Sequence, residues 1–400
     1  MEARPLLGGR ASYQERNGFL VDFGIHAHRF GRTGVAAALY RELGATIELI
    51  QPESGLVEYR GKSYPVPLRA HSFVTSRILG RRNEITLLRA LRGILLRPPQ
   101  EGYKMSVRDL LPAGTDRDTR EFIGVLSGLG LISQDLAQTS AGEFARFIRD
   151  AARSVNHLMA FPRNGCKQHV HRLGGFIREN GEVTTGLEAR RVVVENGIAT
   201  GVESGDGVVK AGAVVLALPS PQAAGMIPEG CLSTATASRM QSVLPSAGLS
   251  WDVGLKRPVS ELHVAFCLEP LIIGAFPSNH DPLLCSPGLQ LTTWCMPLPL
   301  QVFGDADALR RESAVLRRKV FHMFPALEEN ILWERMLTLR MIDGAVPLAS
   351  QAWPSRPGPA VAGVKGLFLA GDTVGVPGQG GDIAFRSALE CAPQVLEYLA

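Results

Sequence analysis

The sequence predicts an α/β protein built as two intertwined lobes, and three observations predict it. At 400 residues, 45% hydrophobic and 20% charged, the chain exceeds the roughly 250–300 residues that a single hydrophobic core organises. Residues 182–218 carry strand signals divided by an Asn196-Gly197 hairpin turn. Residues 366–399 read as strand, glycine-rich loop and helix in direct succession.

Each element follows from its local pattern. Glu182-Val-Thr-Thr, Arg191-Val-Val-Val-Glu and Ile198-Ala-Thr-Gly-Val read as strands, and the apolar run 213–218 as a buried strand that they feed. Near the C-terminus, Gly366-Leu-Phe-Leu-Ala-Gly371 is a short strand, and Ile383, Ala384, Ala388, Leu389, Ala392, Val395, Leu396 and Leu399 fall at helical spacing. Residues 121–152 form two or more helices. Residues 306–324 form another, with Asp305 or Asp307 as N-cap and Pro325 closing it. Between 262 and 300, β-branched, aromatic and proline residues suggest strands with irregular turns. Such alternation argues for a lobe inserted twice into a nucleotide-binding core.

Composition removes several classes. Forty-two Lys and Arg against 38 Asp and Glu give a net charge of +4, too mild for a nucleic-acid partner. Six cysteines with no CxxC pair provide neither a zinc site nor a redox dithiol and suit reduced thiols in a cytoplasmic protein; no metal is expected. There is no run of about 18 apolar residues, and acid and arginine stand where a secretion signal would be apolar. No Ser–His–Asp or paired-carboxylate spacing supports hydrolysis.

Two blocks carry chemistry. At the N-terminus, Glu2 suits the acid that accepts both hydroxyl protons of a ribose at the end of a second strand. Gly8-Gly9 lets backbone approach a phosphate, and Arg10 offers a permanently charged bidentate donor. At the C-terminus, Gly371-Asp372 ends a strand, and Gly378, Gly380 and Gly381 leave room for a planar ligand. Asp382 and Ile383 then open a helix whose N-terminus favours an anion. A surface turn near the N-terminus and a solvent turn capped by Asp382 are the plainer readings of these same pieces.

Together with Phe161-Pro162 and Gly165 before a helix, and the 182–202 strand pair, the two blocks resemble the flavoprotein superfamily of carotenoid (phytoene-type) desaturases, protoporphyrinogen oxidases and flavin amine oxidases. The resemblance spans most of the chain. It implies a Rossmann-like FAD-binding core (1–30, 160–220 and 355–400) with an inserted α+β substrate domain (31–159 and 221–354). It also implies bound FAD, with Glu2 on the adenosine ribose, Arg10 near the pyrophosphate and residues 189–192, beginning at Ala189, beside the adenine. Asp372 would sit on the ribityl–phosphate segment, and Ile383 beneath the flavin ring.

The chain also departs from that pattern. Only Met1 precedes Glu2, so the core is expected to be truncated at its N-terminus, lacking a GxGxxG βαβ segment of about 30 residues. An apolar sheet edge is then left exposed and the cofactor half-held. The segment is either encoded upstream or lost, the chain in the second case being a remnant or a part completed by a partner. Ala189 replaces a β-branched residue, and Ala388 a glycine; both are compatible with binding.

Other signals have two readings each. Residues 77–97, with six arginines and Leu88, Leu91 and Leu95 on one face, suit a peripheral membrane contact or a solvated face of the inserted lobe. His169 and His171 would share a face on a strand; without a third ligand nearby, surface or packing roles are expected. His26, which the resemblance places close to the flavin, is the candidate catalytic residue or a structural imidazole. Trp294 and Trp353 line a substrate cavity or belong to a core. The resulting expectation is an FAD-dependent oxidoreductase removing hydride from a small apolar substrate, an isoprenoid or polyene first. The alternatives are an amine or protoporphyrinogen oxidase-like enzyme and a non-catalytic remnant.

Overall fold

The computed structural model describes residues 1–68, 78, 81–96, 98–154 and 158–400. Its longer helices are α1 (Val35–Glu42), α2 (Arg81–Leu95), α3 (Arg117–Leu131), α4 (Ala141–Arg153), α5 (Cys166–Asn180), α6 (Ala306–Met323) and α7 (Gly381–Leu399).

A seven-stranded sheet organises one lobe, in the order Ile331–Leu339, Ala247–Leu255, Gln290–Leu298, Leu271–Ala275, Val264–Leu268, Gly55–Tyr59, Lys62–Pro65. Alternation along its strands sends side chains to two cores. Val264, Phe266 and Leu268 face a helical layer built from α2, α3 and α4, whereas Ala265 and Cys267 face α6 through Leu316 and Val320. Ala247–Leu255 is buried at every position, as a central strand covered on both faces must be. Asp305 caps α6, accepting from the Asp307 and Ala308 amides at 2.8 and 3.1 Å.

The second lobe is Rossmann-like. Strands Ala189–Glu195, Ile198–Ser204 and Gly207–Lys210 form an antiparallel meander; Asn196 (φ 50°) and Gly197 (φ 76°) make the tight turn. Val214–Leu216 pairs in parallel with Leu367–Leu369, which leads through the glycine-rich loop into α7. Val215 is 45% exposed on that pair. Residues 182–185 are not a regular strand: only Thr185 bridges, in parallel, to Glu2.

Three further readings are resolved. His169 and His171 lie on α5, the helix after Gly165, and so diverge into a surface and a packing role: His171 meets Tyr13 at the surface, while His169 is buried between Tyr40 and His28. On α2 the buried Ala90 and Ile94 and the partly buried Leu91 and Leu95 pack against the core, and Leu88 points into solvent; Arg77 and Arg97, the ends of that predicted stretch, lie outside the described residues. Trp294 lies wholly in the sheet core, opposite Trp251, and Trp353 stacks edge-on against Tyr103. Among the described residues no helix is long and apolar enough to cross a membrane.

His28 Nε2 lies 2.8 Å from His169 Nε2, and His169 Nδ1 lies 3.0 Å from the Tyr40 hydroxyl. Burial pushes His169 down to about 4 and His28 well below its ordinary range. The unfolded chain takes up these protons near pH 6.5, so this stability is present above that pH and lost as pH falls toward 4. For His169 the loss is on the order of 3 kcal/mol. Urea unfolding of the protein and of His169→Gln at pH 7.5 and 4.5 should show the shallower acid loss in the variant; equal losses would refute the assignment.

Candidate functional site

The two ends of the chain meet. At the first, the Glu2 amide donates to the Thr184 carbonyl at 2.9 Å, and the Leu187 amide donates to the Glu2 carbonyl at 3.2 Å. This places Glu2 next to the segment that becomes the strand beginning at Ala189. Gly8 (φ 107°) and Gly9 (φ 56°) then turn the backbone. A Cβ at Gly8 would lie 2.6 Å from the Ala11 carbonyl oxygen, so only glycine closes this turn; a Cβ at Gly9 would meet open space. Arg10 reaches across the fold, and its Nη2 donates to Asp372 Oδ2 at 2.6 Å.

Around Asp372 the C-terminal loop is held from several sides. The Gly371 amide donates to the Ser387 hydroxyl at 2.8 Å, tying the strand end to α7. Gly378 (φ 152°) and Gly380 (φ 52°) adopt conformations that glycine supplies. The Asp343 carboxylate packs where a Cβ at Gly380 would stand, whereas the space beside Gly381 is open. Arg29 then fastens the loop: its guanidinium donates to the Gln379 carbonyl at 2.9 Å, the Gly130 carbonyl at 3.1 Å and Asp343 at 3.4 Å. Ile383 is buried in the first turn of α7.

Expected site residues Glu2, Gly8, Gly9, Arg10 and Ala189 thus occupy the N-terminal side, and Gly371, Asp372, Gly380, Gly381, Asp382 and Ile383 the C-terminal side. Arg29 and Asp343 were not anticipated, because each is a single charged residue whose partner is 314 positions away.

His26 belongs to a neighbouring cavity, partly open to solvent, whose lining includes Asp22, Phe161, His280 and Thr293. Asp22 is what shapes this corner: the Cys166 amide donates to both its carboxylate oxygens, at 3.0 and 3.1 Å, so it closes the start of α5. A Cβ at Gly165 would lie 2.7 Å from Asp22, which explains glycine there. Arg335 donates to the Asp22 carbonyl at 2.5 Å and to the buried Asp252 at 2.8 and 2.9 Å. His26 Nδ1 lies 3.8 Å from Asp22 Oδ2. Asp22, His26 and Cys166 have the spacing of metal ligands, within 4.8 Å of one another. Burial and the Asp22 carboxylate push the Cys166 thiol well up, however, favouring the thiol over the ligating thiolate.

Burial pushes Asp382 up to about 6; Arg29 opposes the shift and Asp343 adds to it. Because the folded value exceeds the unfolded one, this contribution to stability is present below about pH 4 and lost as pH rises through 6. Asp382→Asn should therefore unfold at higher urea than the parent at pH 8, by about 2–3 kcal/mol, and equally at pH 4. A gain of the same size at both pH values would refute the buried-carboxylate account.

No protein-family model matches the chain, and no curated protein is similar to it in sequence. Solved structures are similar in fold. An oxidoreductase from Methanosarcina mazei is 20% identical with a TM-score of 0.80, over 97% of this chain and 93% of that one. Putrescine oxidase bound to putrescine is 15% identical with a TM-score of 0.74, over 99% and 92%. Reduced UDP-galactopyranose mutase is 13% identical with a TM-score of 0.68, over 100% and 90%. The chain therefore has the architecture these proteins share, a Rossmann-like core with an inserted α+β lobe.

Proposed function

We propose that the chain is an FAD-dependent oxidoreductase acting on a small molecule with an apolar body. The carrying observation is the Arg10–Asp372 contact, which closes two blocks 362 residues apart beside the N-terminus of α7. The residues fit the cofactor: Gly9 and Gly381 leave open space, and Arg10, 45% exposed on its side chain, is free to turn toward a phosphate oxygen. Asp372 would accept from ribityl hydroxyls and Glu2 from a ribose. Bound FAD would supply the hydride acceptor at its N5.

The chain's own residues would do the rest. The amides opening α7, at the positive end of the helix dipole, would place partial positive charge where negative charge develops. Arg29 and Asp343 hold the loop that positions those amides. Apolar side chains line most of the cavity, and His26 among them is the candidate for orienting substrate or moving a proton.

An isoprenoid remains the preferred body. Purified protein should show the visible bands of flavin. Asp372→Ala should retain under a tenth of that flavin while melting as before. A colourless, folded parent would point instead to a non-catalytic remnant and overturn this proposal.

Peripheral contact with anionic lipid is favoured by α2. Ile85, Leu88 and Leu96, all more than half exposed, share one helix face with the exposed Arg89 and Arg92. Co-sedimentation with vesicles containing phosphatidylglycerol should fall at least fivefold in an Ile85→Ser/Leu88→Ser variant and at raised salt. Equal sedimentation of parent and variant would refute the contact.

A further inference from the structure

The cavity beside His26 says more about what enters it, on condition that the oxidoreductase reading above holds. Its walls are mainly apolar, with Leu20, Ile25, Phe161 and Leu291 among them. His280 interrupts them. It is 9% exposed and stacked on the Phe161 ring, centroids 4.3 Å apart and planes at 16°. Neither of its ring nitrogens has a hydrogen-bond partner among the described residues, and the same is true of His26 Nδ1. A buried polar atom left in this state loses its hydration without recompense, so the wall is built to be completed by something that hydrogen-bonds.

The character of that group follows from the neighbours. Burial and the adjacent His263 push His280 down to about 3, so at neutral pH its ring is uncharged, with one nitrogen donating and one accepting. Both carboxylates that border the cavity are already engaged. Asp22 accepts twice from the Cys166 amide, and Asp281 accepts from the Asn164 amide at 2.6 Å and the Leu283 amide at 3.2 Å. An ammonium group only donates and would leave each imidazole N–H unpaired, an anionic group would meet two carboxylates, and a plain hydrocarbon would leave both ring nitrogens unpaired.

We propose that this cavity takes a neutral, hydroxyl-bearing molecule with an apolar body, and that His280 and His26 are the binding residues that recognise its hydroxyl. A hydroxyl both donates and accepts, matching a neutral imidazole, while the rest of the molecule meets the apolar walls. The site thereby discriminates against a substrate lacking the hydroxyl, because that substrate desolvates the ring nitrogens and returns nothing.

The test uses three probes of nearly equal size, 2-phenylethanol, ethylbenzene and 2-phenylethylammonium, titrated into the full chain carrying ¹⁵N-labelled histidine. The alcohol should shift the His280 ring resonances and bind at least about tenfold more tightly than either of the others, a difference of about 1.4 kcal/mol. That preference should vanish in His280→Phe and persist in His280→Asn, which keeps a donor and an acceptor; melting curves check that both variants fold. Ethylbenzene or the ammonium binding as tightly as the alcohol would overturn the proposal, as would an alcohol that does not bind or whose preference survives His280→Phe. The visible spectrum of the same sample reports separately on flavin. Flavin without alcohol preference sinks the cavity assignment alone, and alcohol preference without flavin sinks the oxidoreductase reading alone.

Discussion

The site depends on one guanidinium. A loop with glycine at 371, 378, 380 and 381 has few side chains to fix its own shape, and each glycine brings more conformational freedom than any other residue would. Its shape must be imposed from outside, and Arg29 imposes it by holding the Gln379 carbonyl, the Gly130 carbonyl and Asp343 together. The Asp343 carboxylate in turn fills the space that glycine leaves at position 380. These contacts position the first turn of α7, and through Ser387 the end of the strand before the loop.

Two ion pairs near this loop differ in kind. Arg29 and Asp343 are both largely buried, so parting them would strand charge in a poorly solvated place; the pair is a fixture of the fold. Arg10 is nearly half exposed, and water or another anion can take the place of its partner at modest cost. A ligand phosphate could therefore draw Arg10 from Asp372 without disturbing the loop, leaving the carboxylate for a hydroxyl. Rigid loop and exchangeable latch together are what a cofactor grip requires.

Local chemistry was legible in the sequence, and distant partnership was not. The Asn196-Gly197 turn, the Asp305 cap and the strand–loop–helix order at the C-terminus are written in neighbouring residues and appear as expected. His169 shows the limit: a helix after Gly165 is expected, yet that its start is closed by Asp22, 144 positions away, and that His169 is buried against His28 and Tyr40 comes only from the fold. Of the three leucines that spacing puts on one face of α2, Leu91 and Leu95 pack against the core while Leu88 is exposed, a division set by the neighbouring helices and not by spacing. Arg29, Asp343 and His280 carry no motif at all. Their meaning comes from partners, or from the lack of partners, that only the folded chain reveals.

The lobes also divide the work in a way that the connectivity explains. Residues that would grip a cofactor come from the two ends of the chain, whereas His280 and Thr293 of the cavity come from the seven-stranded sheet and the segment between its strands. Arg335 joins the two parts: one guanidinium holds Asp252 of the central strand and the Asp22 carbonyl of the N-terminal block. The segment bearing His26 is thus positioned against the sheet as well as by α5, whose Cys166 amide holds Asp22. Substitutions in the sheet can then change what the cavity accepts while the terminal blocks keep their geometry, which is how one architecture can serve proteins of different chemistry.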